Sequence, residues 1–355
     1  MTIFLLPLRV WASHLSSDIS LLSCFMVMTP QRILKIKSGH RSEYLRREKH
    51  MVEEKSIWYK SPALTTPLLV IFVLVMLNLS RYVLQKQNNT ESNIFLVITV
   101  IQIVVLVLPC ILYYLVKGRR LSSPLFISFI RPSHIIFIIF TLLLFISGTV
   151  LIKYIYYVGG GHITTLSGYF DSVTADKNDI NILGVIISLI IVPAFCEEMF
   201  FRGVVLSEYR SMGSVNAVLI SSLCFSMLHF SLQNFPIYFF AGIILGFVTV
   251  ITRSIIASII IHLASNALSI FGSDLFLRIT IQKSGAFFVG FVIIIIFGLS
   301  LLFVISKLEQ IYFTYSEKPP ITTLPPRSFP NIPKVFMSPS FLALIAVFII
   351  ITVLT

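Results

Sequence analysis

The sequence holds fifteen acidic residues and seven histidines in 355 positions, and only Glu197, Glu198, His229 and His262 lie deep within apolar runs. Inserting an ionisable group there costs about 2.5–3.5 kcal/mol, so each one requires a reason. Arg202 follows Glu198 by four residues, Phe225 precedes His229 by four, and Asn266 follows His262 by four. On a helix this spacing puts both members of a pair on one face. Glu198 and Arg202 can then pair, which keeps a charge tolerable in an apolar medium. Glu197, rotated by about 100°, is free to point elsewhere.

Together these residue types support a definite chemistry. A carboxylate beside an imidazole holds and deprotonates a water. A second imidazole and an amide hydrogen-bond the oxyanion of a tetrahedral intermediate. Glu197, His229, His262 and Asn266 therefore suit hydrolysis of a peptide bond without a covalent nucleophile. Glu197, His229 and His262 are also ligand types for Zn²⁺, although no HExxH pattern is present. A third reading is a transporter or non-catalytic membrane-binding protein that uses the same groups as a proton relay. Inverted repeats would favour it, and none is visible. Cys196 and Cys224 flank the motifs, but a cysteine in an apolar helix is ordinarily a small hydrophobe.

The elements that carry these groups follow from composition. Hydrophobic residues make up 56% of the chain, charged residues 12%, and the mean hydropathy is +0.93. Ordinary soluble domains carry about 25% charged residues. Disorder, a coiled coil and a soluble globular enzyme are excluded. The chain reads as an all-α polytopic membrane bundle, because its apolar runs lack the alternation a barrel needs. Eight or nine spans are expected, over 64–83, 94–116, 135–158, 180–210, 215–230, 237–251, 255–271, 286–305 and 341–354. The last is only 14 residues and is read as a span in preference to a surface helix. Pro193, four residues before Glu197, is expected to kink its helix.

Five regions follow: a basic cytoplasmic segment over 1–60, accessory membrane helices over 61–160, a core over 180–306, a Pro-rich cytoplasmic linker over 307–340 and a C-terminal apolar helix over 341–355. Residues 31–60 carry nine Lys or Arg against four Glu, which places the N-terminus in the cytoplasm. The net charge of +12 suits an anionic lipid surface and does not call for nucleic acid. An acidic loop with Asp171, Asp176 and Asp179 is expected outside. The four cysteines form no CxxC pair, so neither a disulfide framework nor a thiolate zinc site is expected.

Depth along the helices gives an independent check. Glu197 lies about 20 Å from a helix end at Arg210, and His229 about 21 Å from a start at Val215. From Ser254, His262 is about 12 Å in and Asn266 about 18 Å. Three helices thus bring their polar groups to similar depth.

The motifs Glu197-Glu198-x-x-x-Arg202, Phe225-x-x-x-His229 and His262-x-x-x-Asn266 resemble, in order and spacing, those of the CPBP (Abi) family. These are the CAAX-protease and bacteriocin-processing intramembrane proteases, among them the type II CAAX prenyl endopeptidases. The resemblance covers roughly residues 180–271. It implies Glu197 as the catalytic glutamate and His229 as the residue that positions and activates water. It further implies His262 and Asn266 at the oxyanion, with Glu198 and Arg202 bracing their helix and Phe225 in support. It favours a metal-independent glutamate protease, with zinc held by Glu197, His229 and His262 as the alternative. The implied partners are membrane lipids and a membrane-associated protein or peptide, prenylated or not. The implied location is an integral multi-pass membrane protein, in the cell membrane if the organism is bacterial.

Overall fold

The computed structural model describes residues 62–86, 94–117, 128–159, 182–210, 213–272, 286–317 and 332–354. All of them belong to the second of two units, Trp58–Thr355. The basic segment over 1–60, the acidic loop and most of the Pro-rich stretch lie outside the described residues.

The regular elements among the described residues are helices. α1 spans Pro62–Lys86. α2 (Ile94–Gln102) continues through a π-helical turn, Ile103–Val107, into α3 (Leu108–Lys117). A 3₁₀ turn, Pro132–His134, opens α4 (Ile135–Val158). The next helix is segmented: α5 (Ile182–Val185), π-helical Ile186–Ile191, α6 (Val192–Glu198), π-helical Met199–Leu206 and α7 (Ser207–Tyr209). α8 (Ser214–Met227), α9 (Phe235–Thr252) and α10 (Ile255–Phe271) follow. α11 (Ala286–Glu317), the short α12 (Ile332–Phe336) and α13 (Pro339–Leu354) complete the chain.

Among the described residues, six helices are long and apolar enough to cross a bilayer: Leu64–Tyr82, Ile94–Leu115, Pro132–Tyr156, Ile182–Tyr209, Phe235–Thr252 and Phe287–Leu308. Ser214–Met227, Ile255–Phe271 and Pro339–Leu354 are apolar but shorter. Each of the nine apolar runs thus holds a helix, and among the described residues six rather than eight or nine reach full spanning length. Large apolar side chains including Leu115, Phe287 and Phe288 stand exposed. An apolar surface of this extent belongs against lipid. The molecule is an all-α, integral, multi-pass membrane protein.

Two boundaries differ from expectation. α11 runs to Glu317, eleven residues beyond the linker boundary at 306. The stretch Lys307–Glu317 contains no proline or glycine, so nothing in it interrupts helical hydrogen bonding once the apolar run ends. The second concerns His229. α8 ends at Met227, so His229 sits in the turn beyond it rather than within a helix. Phe230 then adopts φ 48°, a left-handed conformation that a helix cannot continue through.

The distortion expected near Pro193 takes the form of π-helical turns. Val192 N–H bonds back five residues to Ile187 O, and Pro193 has no N–H to offer. Single π turns inside α-helices recur at functional sites.

Tight corners set the register of the core helices. Gly213 enters α8 with φ 102°, a region L side chains avoid. At the α9–α10 corner Arg253 is left-handed at φ 55°. Ser128 Oγ donates to Arg253 O and Ser254 Oγ donates to Ser128 O, both at 2.5 Å. This reciprocal pair ties the corner to the chain entering α4. α9 packs against α8, α4 and α10, while α4 also packs along α11. α13 lies along α1, burying Phe341, Leu344, Phe348 and Ile351 at helical spacing.

Candidate active site

Four elements meet at one buried polar cluster. α6 and the π turn after it supply Glu197, Glu198 and Arg202. The end of α8 and its turn supply Phe225 and His229. α9 contributes Tyr238 and Gly242, and α10 contributes His262.

Glu198 and Arg202 are both fully buried. Glu198 Oε1 lies 3.1 Å from Arg202 Nη1 and 2.9 Å from His262 Nδ1. A carboxylate paired with arginine only accepts, so Nδ1 of His262 is the donor. The other ring nitrogen, Nε2, faces Glu197 Oε2 at 3.8 Å. Arg202, Glu198, His262 and Glu197 therefore form one chain of contacts, with Glu197 at its far end. Glu197 and His262 are the slightly open members, their side chains 12% and 7% exposed.

Aromatic rings wall the cluster. The Phe225 ring stands edge-on to His229 at 5.1 Å and to His262 at 5.9 Å between centroids. The Arg202 guanidinium carbon lies 4.8 Å from the Phe225 centroid. Phe201 meets Phe225 edge-on at 5.3 Å. Phe225 thus touches the structural cation and both imidazoles, which gives the first residue of the FxxxH motif a physical role in the site.

Arg202 Nη2 also donates to Gly242 O at 3.2 Å. A Cβ at Gly242 would lie 2.8 Å from Ser222 Cα and 3.2 Å from Ser222 O. Only glycine lets α9 approach α8 so closely while presenting its carbonyl to Arg202. Gly242→Ala is expected to cost about 1–3 kcal/mol by forcing the helices apart. Denaturant unfolding in detergent measures it, and an unchanged midpoint would contradict the packing argument.

Within the cluster Glu197 Oε2, Glu198 Oε2, Arg202 Nε, Arg202 Nη1 and His229 Nε2 are buried without a protein hydrogen-bond partner, and of these Glu197 Oε2 and His229 Nε2 lie outside the Glu198–Arg202 ion pair. Buried polar atoms are nearly always satisfied by protein or ordered water. Asn266 behaves differently from its expected role. Its Nδ2 reaches Ile190 O at 3.5 Å, toward the π turn before α6, so one amide proton is directed at a helix–helix contact. The structure brings together Glu197, Glu198, Arg202, Phe225, His229 and His262, with Asn266 one turn away on α10. Cys196 and Cys224 are buried and free.

Sequence reasoning missed Tyr238 and Gly242. They are four residues apart, at the spacing of the motifs that were found, but Tyr-x-x-x-Gly carries no chemical signal in a helix so rich in aromatics. Among the described residues, no three His, Cys, Asp or Glu side chains converge as a metal ion requires. Glu197, His229 and His262 do not form such a trio.

A polytopic helical membrane protein with a buried acid–imidazole cluster is the class these features define. Residues 179–268 match the family model of the type II CAAX prenyl endopeptidase Rce1-like proteins. That segment is 90 residues of the 355, counting 179 through 268. It contains Glu197 through Asn266, so the segment that carries the three motifs is the one that is similar to the Rce1-like proteins. No curated protein and no solved structure matches the chain.

Proposed function

We propose that the chain is an intramembrane endopeptidase of the CAAX-protease type that hydrolyses a peptide bond through a glutamate-activated water. The observation that carries this is that Glu197 Oε2 and His229 Nε2, outside the Glu198–Arg202 ion pair, are buried without a protein partner beside an imidazole fixed by that pair. Glu197 and His229 hold the water. Glu197 takes its proton as the oxygen attacks the carbonyl carbon, and delivers that proton to the departing amine nitrogen. The products are a carboxylate and an amine.

His262 serves the oxyanion. With Nδ1 bonded to Glu198, its Nε2 edge is the one available to the reaction, and in its protonated form that nitrogen donates to the developing charge. Asn266 carries a second amide proton beyond the one directed at Ile190, and that proton is its contribution. Glu198 and Arg202 act through His262 and are positioning residues.

The substrate is a membrane-associated protein or peptide, and a prenylated C-terminal peptide is the first to try. The N-terminus is cytoplasmic, by the basic bias of residues 31–60. The test is cleavage of such a peptide by the purified full chain in proteoliposomes, followed by mass spectrometry. Cleavage is expected to persist after treatment with a strong chelator. Loss on chelation with recovery on adding zinc would replace the metal-free mechanism. Proton-driven uptake without cleavage would replace the protease reading with the transporter.

A further inference from the structure

Tyr238 belongs to none of the three motifs, yet its ring centroid lies 3.6 Å from that of His229 with the planes 14° apart. We propose that Tyr238 is a positioning residue whose ring, stacked on His229, sets the imidazole plane and so the direction of Nε2. The proposal rests on the hydrolytic reading of the site.

His229 needs such a support. It lies beyond the end of α8, in a turn whose next residue is left-handed. Its χ2 torsion is intrinsically broad, and Nε2 makes no protein hydrogen bond that would fix the ring from that side. What surrounds the ring is aromatic. Phe225 meets it edge-on with planes 76° apart, and Tyr238 covers a face. Two rings so disposed leave the imidazole one comfortable plane.

Tyr238 is itself well anchored. One turn along α9, Gly242 is pressed against Ser222 of α8 and accepts from Arg202. One face of α9 therefore registers both the support of His229 and the acceptor of the buried arginine. Misplacing a catalytic group by about 1 Å costs on the order of 100-fold in rate, so a stacking contact of this kind matters to turnover.

The test uses the full chain in detergent with two substitutions, Tyr238→Phe and Tyr238→Leu. Tyr238→Phe keeps the stack and is expected to retain the wild-type kcat. Tyr238→Leu is expected to lower kcat by about 10- to 100-fold while KM stays nearly constant. In a His229→Ala background, Tyr238→Leu is expected to cost nothing further, because the two residues act as one unit. Equal activity of Tyr238→Leu and wild type would overturn the proposal. So would equal damage from Phe and Leu, which would assign the effect to the hydroxyl, or an undiminished loss in the His229→Ala background. Should Tyr238→Leu fail to fold, Tyr238→Met replaces it as a ringless residue that adapts to irregular gaps.

A spectroscopic readout separates this proposal from the protease reading. The His229 imidazole protons, assigned with His229→Gln, should be shifted upfield by the tyrosine ring in wild type and in Tyr238→Phe, and not in Tyr238→Leu. Absence of that shift in wild type refutes the stack whatever the chain cleaves. Presence of the shift in a protein that cleaves no peptide refutes the hydrolytic reading, and the catalytic role of Tyr238 with it.

Discussion

Glu197→Gln yields a folded protein whose peptide cleavage falls by about 10²- to 10⁴-fold, the usual contribution of a positioned general base. The amide keeps the shape and loses the proton acceptor. Folding should survive, because Glu197 is not the member of the Glu197-Glu198 pair that holds the core. Glu198 Oε1 carries both the Arg202 and the His262 contacts, whereas Glu197 meets His262 only at 3.8 Å. The measurement is kcat and KM on one peptide, with gel filtration and thermal unfolding as controls. Turnover retained by a monodisperse Glu197→Gln protein would sink the proposed mechanism.

The complementary result is a loss of stability. Arg202→Ala is expected to destabilise the protein by about 3–5 kcal/mol, because it leaves Glu198 as an uncompensated buried charge. The same change removes the hydrogen bond to Gly242 O and the cation over Phe225. Denaturant unfolding in detergent measures the effect. A Glu198→Gln/Arg202→Met double variant should recover much of the stability, since it removes both charges of the buried pair together and leaves neither uncompensated. Its cleavage should stay low, because His262 loses the carboxylate that fixes its Nδ1 proton. An Arg202→Ala cost below about 1 kcal/mol, typical of a surface pair, would show that Glu198 is not held as described.

The two results separate roles that adjacent residues conceal. Glu197 and Glu198 are chemically identical and consecutive, yet one faces the imidazole edge and the other is locked between arginine and histidine. The first substitution is expected to change rate with little effect on folding, and the second to change folding first. Helix geometry produces the division, since a step of one residue turns the side chain by about 100°.

Composition by itself determined the class of the molecule and the place of each apolar helix. A bilayer demands runs of roughly 20 apolar residues, so such runs are readable without knowing their neighbours. The expense of intramembrane charge marked Glu197, Glu198, His229 and His262 in the same way. The spacing of four residues paired Glu198 with Arg202 and Phe225 with His229, and both pairs meet in the structure.

Tertiary structure decided the partners across helices. Helices that are apolar on every side carry no amphipathic stripe to reveal which face meets which neighbour. Nothing in the order of residues therefore said that Glu198 would bond His262 across 64 positions. Nor did it say that Gly242 would take a hydrogen bond from Arg202, or that Tyr238 would cover His229. The end of α8 at Met227 was equally hidden, because the apolar run continues to Phe230 and only the left-handed turn breaks it. Asn266 shares a face with His262 by spacing, but the approach of Ile190 draws its amide toward a backbone carbonyl. Local spacing selects the groups, and the rotation and register of packed helices decide what each one touches.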